Sequence, residues 1–307
     1  MMNYKKYLLI LPLLILAIAC DPYEDYLVDT AGYKTVYFPY QKLERSAVSG
    51  EGLEIQLGVF LGGVRDNDKN EEVTYEVDES LLVDTGYTLL PSDYYTLGDN
   101  SKITIEKGEY LGLLSVKFDS LKLASDTDLK DFNYALPLKL LTSSTDSILE
   151  GKEHAVFPIK LMNTYEGNFY QVGSLKEFFT VTKVLDTAYV YGNYDDLTSD
   201  INIRTLSSDM MNTVTIDGVA NRGGDNYSMQ LRVNPQDNSV EILSVASSDY
   251  QVVANGESTW DPVKRIFNLK YKYSFGDKNF EVQESLTFRN RIRDGINEWR
   301  WEGFSGN

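Results

Sequence analysis

Residues 264–289 read KRIFNLKYKYSFGDKNFEVQESLTFR, and this stretch sets the fold class of the second half of the chain. Two runs rich in aromatic and β-branched residues, Arg265–Tyr273 and Phe280–Phe288, flank the tetrapeptide GDKN at 276–279. Apolar and polar residues alternate in both runs, as in half-buried strands, and a glycine followed by small polar residues is typical of a tight turn. The sequence therefore predicts one long antiparallel hairpin over Lys264–Arg289.

Further short strands precede and follow this hairpin within residues 164–307. They are predicted at Asn168–Val172, Phe178–Leu185, Ala188–Tyr191, Ile201–Arg204, Thr213–Ile216, Tyr227–Val233, Ser239–Ser244 and Glu298–Trp301. Eight to ten consecutive antiparallel strands in this length favour an up-and-down β-barrel or a second β-sandwich.

Residues 33–163 form a separate β-rich module, which ends at the junction sequence NTYEG at 163–167. Strands are predicted at Lys34–Phe38, Leu53–Phe60, Val73–Val77, Lys102–Glu106, Tyr110–Phe118, Tyr134–Leu141 and Ala155–Met162. A single helical turn is expected at Glu79–Asp84. Seven short strands with turn residues between them indicate an immunoglobulin-like sandwich, so the whole chain is predicted to be all-β.

The composition excludes several classes of function. The chain has 307 residues, with 29 Lys and Arg against 46 Asp and Glu, and a formal charge of −17, which excludes a nucleic-acid binder that relies on bulk electrostatics. One Cys excludes an intrachain disulfide and a thiolate zinc site. One His leaves a Ser-His-Asp triad or a multi-histidine metal site close to unworkable. We therefore expect no enzymatic activity, no metal and no cofactor.

The first nineteen residues have the pattern of a secretory signal. Lys5 and Lys6 precede the apolar run Leu8–Ile18, which is shorter than the roughly 20 residues of a membrane span. The sequence AIAC that ends at Cys20 resembles a bacterial lipobox, in which the cysteine is acylated and becomes the first mature residue. The alternative is a plain signal peptide.

An acidic tether, residues 20–32, follows the signal. Its segment DPYEDYLVD at 21–29 resembles the export signal that directs Bacteroidetes lipoproteins to the outer face of the outer membrane. The alternative is a solvated linker without address meaning. We expect the mature protein to be lipid-anchored through Cys20 and exposed on the cell surface.

Several motifs of the first module are specific: YTLLPSDYYTL at 87–97, ITIEKG at 103–108, YALPL at 134–138 and ILEGK at 148–152. Together they resemble the N-terminal adhesin-like domain of unknown function in Bacteroidetes surface lipoproteins, which is often encoded among starch-utilisation-type glycan uptake genes. The motifs WDP at 260–262 and RDGINEW at 293–299 resemble a companion domain of calycin-like barrel form. This resemblance implies surface glycan handling and supplies no catalytic residues.

Aromatic residues are the main candidates for glycan contact, because the C–H faces of sugar rings pack on indole and phenol rings. Trp260 lies at a turn before the long hairpin, and Trp299 and Trp301 share one face of a strand. The alternative for Trp299 and Trp301 is that they close the core of the barrel.

Two loops add polar candidates, because binding groups on a rigid scaffold often lie on loops. The first contributes Tyr191, Tyr194, Asp195 and Asp196. The second contributes Arg222, Asp225 and Asn226. The alternative is that both are plain connections.

The sequence thus predicts a surface lipoprotein that binds a polysaccharide or oligosaccharide for a starch-utilisation-type uptake system. The expected partners are the glycan and outer-membrane glycan transporter components, with membrane contact only through the lipid. A different hypothesis is an adhesive or structural surface protein whose ligand is a protein. A third is an unrecognised hydrolase in the second module.

Overall fold

The computed structural model describes residues 32–99, 101–124, 126–192, 202–224 and 226–299. Cys20 and the rest of the signal and tether before residue 32 therefore lie outside the described residues. Within the described ranges, no helix has the length and apolar character needed to cross a bilayer.

Residues 35–163 form two packed sheets. Their strands are β1 (Thr35–Tyr37), β2 (Arg45–Ser49), β3 (Glu54–Gly62), β4 (Glu71–Val77), β5 (Thr88–Leu89), β6 (Tyr95–Leu97), β7 (Lys102–Ile105), β8 (Leu111–Phe118), β9 (Tyr134–Ser143), β10 (Ser147–Ile148) and β11 (His154–Asn163). One sheet has the order β10-β1-β3-β8-β6, and the other has the order β2-β11-β9-β4-β7 with β5 beside β9. Short helical turns lie at Glu79–Leu82, Ser120–Leu123 and Thr127–Lys130.

The predicted sandwich is confirmed, and its core follows from strict alternation along the strands. On β3, Ile55, Leu57, Val59 and Leu61 are buried, whereas the residues between them are exposed or half-buried. These side chains join the buried residues of the facing sheet in one core. The helical turn expected at 79–84 is present as a short 3₁₀ turn.

Residues 167–299 form one large antiparallel sheet. Its strands are β12 (Gly167–Phe179), β13 (Leu185–Tyr191), β14 (Asn202–Met210), β15 (Thr213–Ile216), β18 (Met229–Val233), β19 (Val240–Ser244), β20 (Val252–Ala254), β21 (Thr259–Asp261), β22 (Ile266–Phe275), β23 (Lys278–Arg293) and β24 (Ile296–Trp299). The short pair β16 (Gly218–Val219) and β17 (Arg222–Gly223) forms a separate hairpin.

This sheet curls into a nearly closed barrel, which is the first of the two architectures predicted for the second module. Its order is β19-β18-β15-β14-β12-β23-β22-β20, so β19 and β20 are the two ends that approach each other. Ser244 on β19 links them, since its hydroxyl accepts from the Val252 N–H at 2.8 Å and donates to the Val252 carbonyl at 2.9 Å.

The long hairpin predicted at Lys264–Arg289 is confirmed as β22 and β23, which pair from Ile266–Thr287 to Phe275–Lys278. The prediction of one strand over Phe178–Leu185 is wrong. In the structure β12 ends at Phe179, the chain turns through Lys183 with φ of 55°, and β13 begins at Leu185. The β-branched residues between them suggested a strand, but they form the connection of a second hairpin.

A polar joint connects the two modules. The Asn163 side-chain amide donates to the carbonyls of Met210 and Thr213 at 2.9 and 2.8 Å. Glu51 of the first module accepts two hydrogen bonds from the Arg291 guanidinium of the second, each at 3.0 Å. The Arg291 side chain is only 5% exposed, and its charge is balanced by Glu51 together with Glu298, whose carboxylate lies 2.6 Å from the guanidinium.

Candidate functional site

One carboxylate dominates the polar interior of the barrel. Glu284 on β23 is 4% exposed and lies opposite Gly173 of β12. Its Oε1 accepts a hydrogen bond from the Tyr271 hydroxyl at 2.9 Å. Its Oε2 accepts from the Tyr191 hydroxyl at 2.5 Å and from the Gln171 amide at 2.7 Å. Gly173 leaves room for this arrangement, because a Cβ there would lie 2.6 Å from the Cβ of Glu284.

This cluster supports the β16–β17 hairpin, which turns inward over the barrel. The buried carbonyl of Ala220 accepts hydrogen bonds from the Gln171 amide at 2.7 Å and the Arg204 guanidinium at 3.0 Å. The Ala220 N–H donates to the Tyr271 hydroxyl at 2.6 Å. A second bond, from Arg204 Nε to the side-chain Oε1 of Gln171 at 2.9 Å, completes the network.

The hairpin can approach the barrel this closely because glycines stand where it crosses the Arg204 guanidinium. A Cβ at Gly218 would lie 2.6 Å from Arg204 Nε, and a Cβ at Gly223 would collide with the same group. Both strands of the hairpin therefore lie against the guanidinium. The neighbouring residue of β17, Arg222, is exposed at the barrel mouth.

Burial sets the protonation of the cluster. It raises the pKa of Glu284, and the hydrogen bonds from Tyr191, Tyr271 and Gln171 oppose that rise only in part. Burial and the nearby carboxyl group also raise the pKa of Tyr191 and Tyr271. Because both oxygens of Glu284 accept hydrogen bonds from buried donors, the cluster holds the β16–β17 hairpin in place.

Above the cluster, aromatic rings form a continuous ladder at one mouth of the barrel. The Tyr250 ring stacks on Tyr273 with centroids 4.7 Å apart, and Tyr273 stacks on Phe280 at 4.7 Å. Tyr227 and Phe275 contact Tyr250 at 5.0 and 5.1 Å. Tyr250 and Tyr273 are buried, whereas Phe275 is 56% exposed. The ladder thus has a rigid base and an exposed edge.

Polar groups lie beside the exposed edge. Burial raises the pKa of Tyr250 and Tyr273, and the positive charge of Arg222 opposes the rise in both. Tyr189 raises the pKa of the same two groups and is 36% exposed. The carbonyl of the exposed Asn226 accepts from the Asp249 N–H at 2.8 Å, which ties two mouth loops together. We call Tyr189, Arg222, Asn226, Tyr227 and Phe275 the rim.

The structure brings two predicted candidates, Arg222 and Asn226, to this rim. Tyr191 lies nearby, but the prediction that it contacts ligand from a loop is corrected. Its ring is 8% exposed and its hydroxyl is bonded to Glu284, because it faces inward at the end of β13. Tyr194, Asp195, Asp196 and Asp225 lie outside the described residues.

Two of the tryptophan candidates, Trp260 and Trp299, do not belong to the rim. Trp260 is 5% exposed and packs on Phe267 and Tyr165 with centroids 4.4 and 5.3 Å apart, so its assignment as a ligand contact is corrected to a place in the core. Trp299 is 54% exposed and lies opposite Asn290, at the end of β23 remote from the mouth. Trp301 lies outside the described residues.

Glu284 was missed from sequence, although a signal was present. It occupies an inward position in the alternation Phe280, Val282, Leu286 and Phe288, where an apolar residue is expected. Gln171 stands in the same way among the buried residues of β12. The described residues contain no group of three or more His, Cys, Asp and Glu side chains suited to holding a metal ion.

A family model described as a "-like, N-terminal domain" matches residues 26–147. The resemblance expected for the first module is confirmed. No curated protein matches the chain.

Among solved structures, this chain is similar to a Bacteroides ovatus protein of unknown function, with 18% sequence identity and a TM-score of 0.69. The alignment covers 87% of this chain and 97% of the Bacteroides ovatus chain. The two-module fold therefore occurs in at least one other protein. A Bacteroides ovatus multidomain protein that includes DUF1735 matches 87% of this chain and 100% of its own, with 14% identity and a TM-score of 0.44. A proposed carbohydrate-binding protein from Bacteroides ovatus matches 83% of this chain and 98% of its own, with 13% identity and a TM-score of 0.32.

Proposed function

We propose that this protein is a cell-surface glycan-binding protein whose ligand docks on the rim of the barrel. The proposal rests on one observation: exposed aromatic rings, a guanidinium group and an amide group lie together at one mouth of the barrel. Tyr189 and Phe275 offer faces for the C–H surface of a sugar ring, while Arg222 and Asn226 offer hydrogen bonds to hydroxyl groups.

Binding here is passive capture. The buried base of the aromatic ladder and the Glu284 cluster fix the positions of the rim residues before ligand arrives, which reduces the entropy lost on binding. Glu284 accepts hydrogen bonds from Gln171, Tyr191 and Tyr271, which supports a structural role for this acid beneath the binding residues. The captured glycan would then pass to outer-membrane transporter components.

Affinity electrophoresis of the purified chain in gels that contain host and plant polysaccharides tests this function. Tyr189→Ala and Arg222→Gln should each weaken retention by about tenfold in the dissociation constant, the effect of losing one stacking or charged contact. Tyr40→Ala is the matched control, because Tyr40 is 61% exposed on the first module. No retention by any polysaccharide, together with capture of a defined protein partner, would favour the adhesive alternative.

We also propose that the acylated sulfur of Cys20 anchors the protein to the outer membrane, with residues 21–32 as an acidic tether to the cell surface. The AIAC sequence at 17–20 supports this proposal. Cys20→Ala should move the protein from the membrane fraction to the soluble fraction. The surface location is tested separately by protease added to intact cells, which should degrade the anchored protein without lysis.

A further inference from the structure

The outer face of the barrel sheet carries a group of lysines across its longest strands. The pairing register places Lys176 of β12 opposite Glu281 of β23, and Glu281 opposite Lys272 of β22. One row below, Ser174, Gln283 and Lys270 are aligned in the same way. These side chains point outward, because the residues that alternate with them are in the buried core.

The three lysines are exposed, and none forms an ion pair with a carboxylate among the residues that the structure describes. Elsewhere on the described surface lysines commonly pair, as Lys278 does with Asp186 at 2.9 Å. With Glu281 as the one carboxylate in these two rows, the rows carry an excess of positive charge in a chain whose formal charge is −17. We call Lys176, Lys270 and Lys272 the lysine face.

The surface around the lysines is concave. A groove of about 380 Å³ is lined in part by Ser174, Val190, Asn268, Lys270 and Gln283. A smaller hollow of about 100 Å³ shares Ser174, Lys270 and Gln283 with it and extends to Lys176 and Asn255. The lining therefore combines ammonium groups, amides and a hydroxyl with the single Glu281 carboxylate, so its donors can bond to anions and its polar groups to sugar hydroxyls.

A third hollow, of about 720 Å³, continues the concave surface past Lys272 toward the turn of the long hairpin, where Lys183 and Phe178 add a charge and an apolar ring. From Ser285 in the first groove to Asn279 in the third, the face follows six steps of β23, or roughly 20 Å. That length fits an extended chain better than a single small molecule.

From this geometry we propose that the lysine face is a second binding site, which takes an acidic oligosaccharide whose sugars bear carboxylate or sulfate groups. The ammonium groups recognise the anions, and Gln283, Asn268 and Ser174 bond to hydroxyls between them. The choice of sugar as the bearer of the charge rests on the glycan-binding function proposed above. An acidic protein segment would present the same charges without ring hydroxyls, so it serves as an arm of the test.

The test measures binding of the whole chain to polygalacturonate, chondroitin sulfate, neutral dextran and poly-glutamate by calorimetry at low and high salt. Polygalacturonate and chondroitin sulfate distinguish carboxylate from sulfate. The combined variant Lys176→Gln, Lys270→Gln and Lys272→Gln should weaken binding of at least one acidic glycan by roughly tenfold or more. Its matched control removes the same charge from the first module, by Lys107→Gln, Lys117→Gln and Lys122→Gln, and should stay within about twofold.

The outcomes separate this site from the rim. Loss in the lysine-face variant with normal binding by Tyr189→Ala supports the inference even if the rim proposal fails. Acidic-glycan binding that depends on Tyr189 and not on the lysines overturns the inference and leaves the rim proposal intact. Equal loss in the control variant, equal binding of poly-glutamate, or no binding of either acidic glycan also overturns it.

Discussion

Replacing Tyr271 by Phe tests whether the buried cluster holds the barrel together. The change removes one hydroxyl and leaves the ring, which is completely buried. That hydroxyl accepts from the Ala220 N–H at 2.6 Å and donates to Glu284 Oε1 at 2.9 Å. Phe therefore leaves a buried donor unpaired and takes one of three donors from a buried carboxyl group.

The expected cost follows from these two losses. A buried N–H without a partner costs about 1–3 kcal/mol, and a hydrogen bond to a charged group contributes about 1.5–3 kcal/mol. Because Tyr191 and Gln171 still donate to Glu284 in the variant, the second loss is at the lower end. We expect Tyr271→Phe to lower the free energy of unfolding of the second module by roughly 2–5 kcal/mol.

Tryptophan fluorescence during urea unfolding measures this value, because all three tryptophans of the chain (residues 260, 299 and 301) belong to the second module. Tyr273→Phe is the matched control. Tyr273 lies two residues further along the same strand and faces inward with 4% exposure, but its hydroxyl has no hydrogen bond among the described residues. The control should lose less than about 1 kcal/mol.

Equal losses in the two variants would refute the reasoning, because they would mean that the Ala220 N–H and Glu284 find other partners when the Tyr271 hydroxyl is gone. Glycan affinity is measured for Tyr271→Phe under conditions in which the variant is fully folded. If stability falls but this affinity is unchanged, the cluster contributes to stability without positioning the rim residues.

Three further predictions concern charge and packing. The pKa of Glu284 is raised in the folded protein, so its contribution to stability is present below pH 4.5 and is lost as the pH rises toward the pKa of the folded state. Urea titration of the wild type and of Glu284→Gln measures this effect. The difference between their free energies of unfolding should fall by up to about 1.4 kcal/mol per pH unit in that window. Burial acts to raise the pKa of Glu51, but the hydrogen bonds and charge of Arg291 hold that pKa below 4.5, so the contribution of Glu51 to stability is present above pH 4.5 and is lost as the pH falls. Glu51→Gln should lower the free energy of unfolding by about 1–3 kcal/mol at pH 7 and remove this acid dependence. The same dependence of stability on pH in the variant and the wild type would contradict the pairing. Trp260→Ala should destabilise the second module by about 3–5 kcal/mol in calorimetry because it empties a core position, yet the folded variant should keep its glycan affinity.

Much of the fold could be predicted because strand signals are local. The alternation of 266–273 and 280–288 and the glycine at 276 gave the long hairpin, and similar runs gave both β-modules. Errors occurred where local pattern and tertiary pairing disagree. The short strand β2 has little alternation and forms because its backbone pairs in parallel with β11, more than a hundred residues later.

The candidate site was less predictable for the same reason. Arg222 and Asn226 were identified because Gly-rich polar loops are common binding positions, but Trp260 was misassigned since residue type alone does not distinguish a core indole from an exposed one. Its burial depends on Phe267 and Tyr165, the latter nearly a hundred residues away in sequence.

The amino-acid order alone therefore establishes an all-β chain, its long hairpin, and an AIAC segment that predicts a lipid anchor, because alternation, turn chemistry and leader patterns are read over a few neighbouring residues. Tertiary structure alone places Gln171 beside Glu284, 113 residues apart, and aligns Lys176 with Lys272 across β23. Contacts between side chains so far apart in sequence depend on strand register and on the curvature of the sheet. A shift of one residue in register would exchange the inward and outward faces of a strand, moving Glu284 to solvent and the lysines to the core.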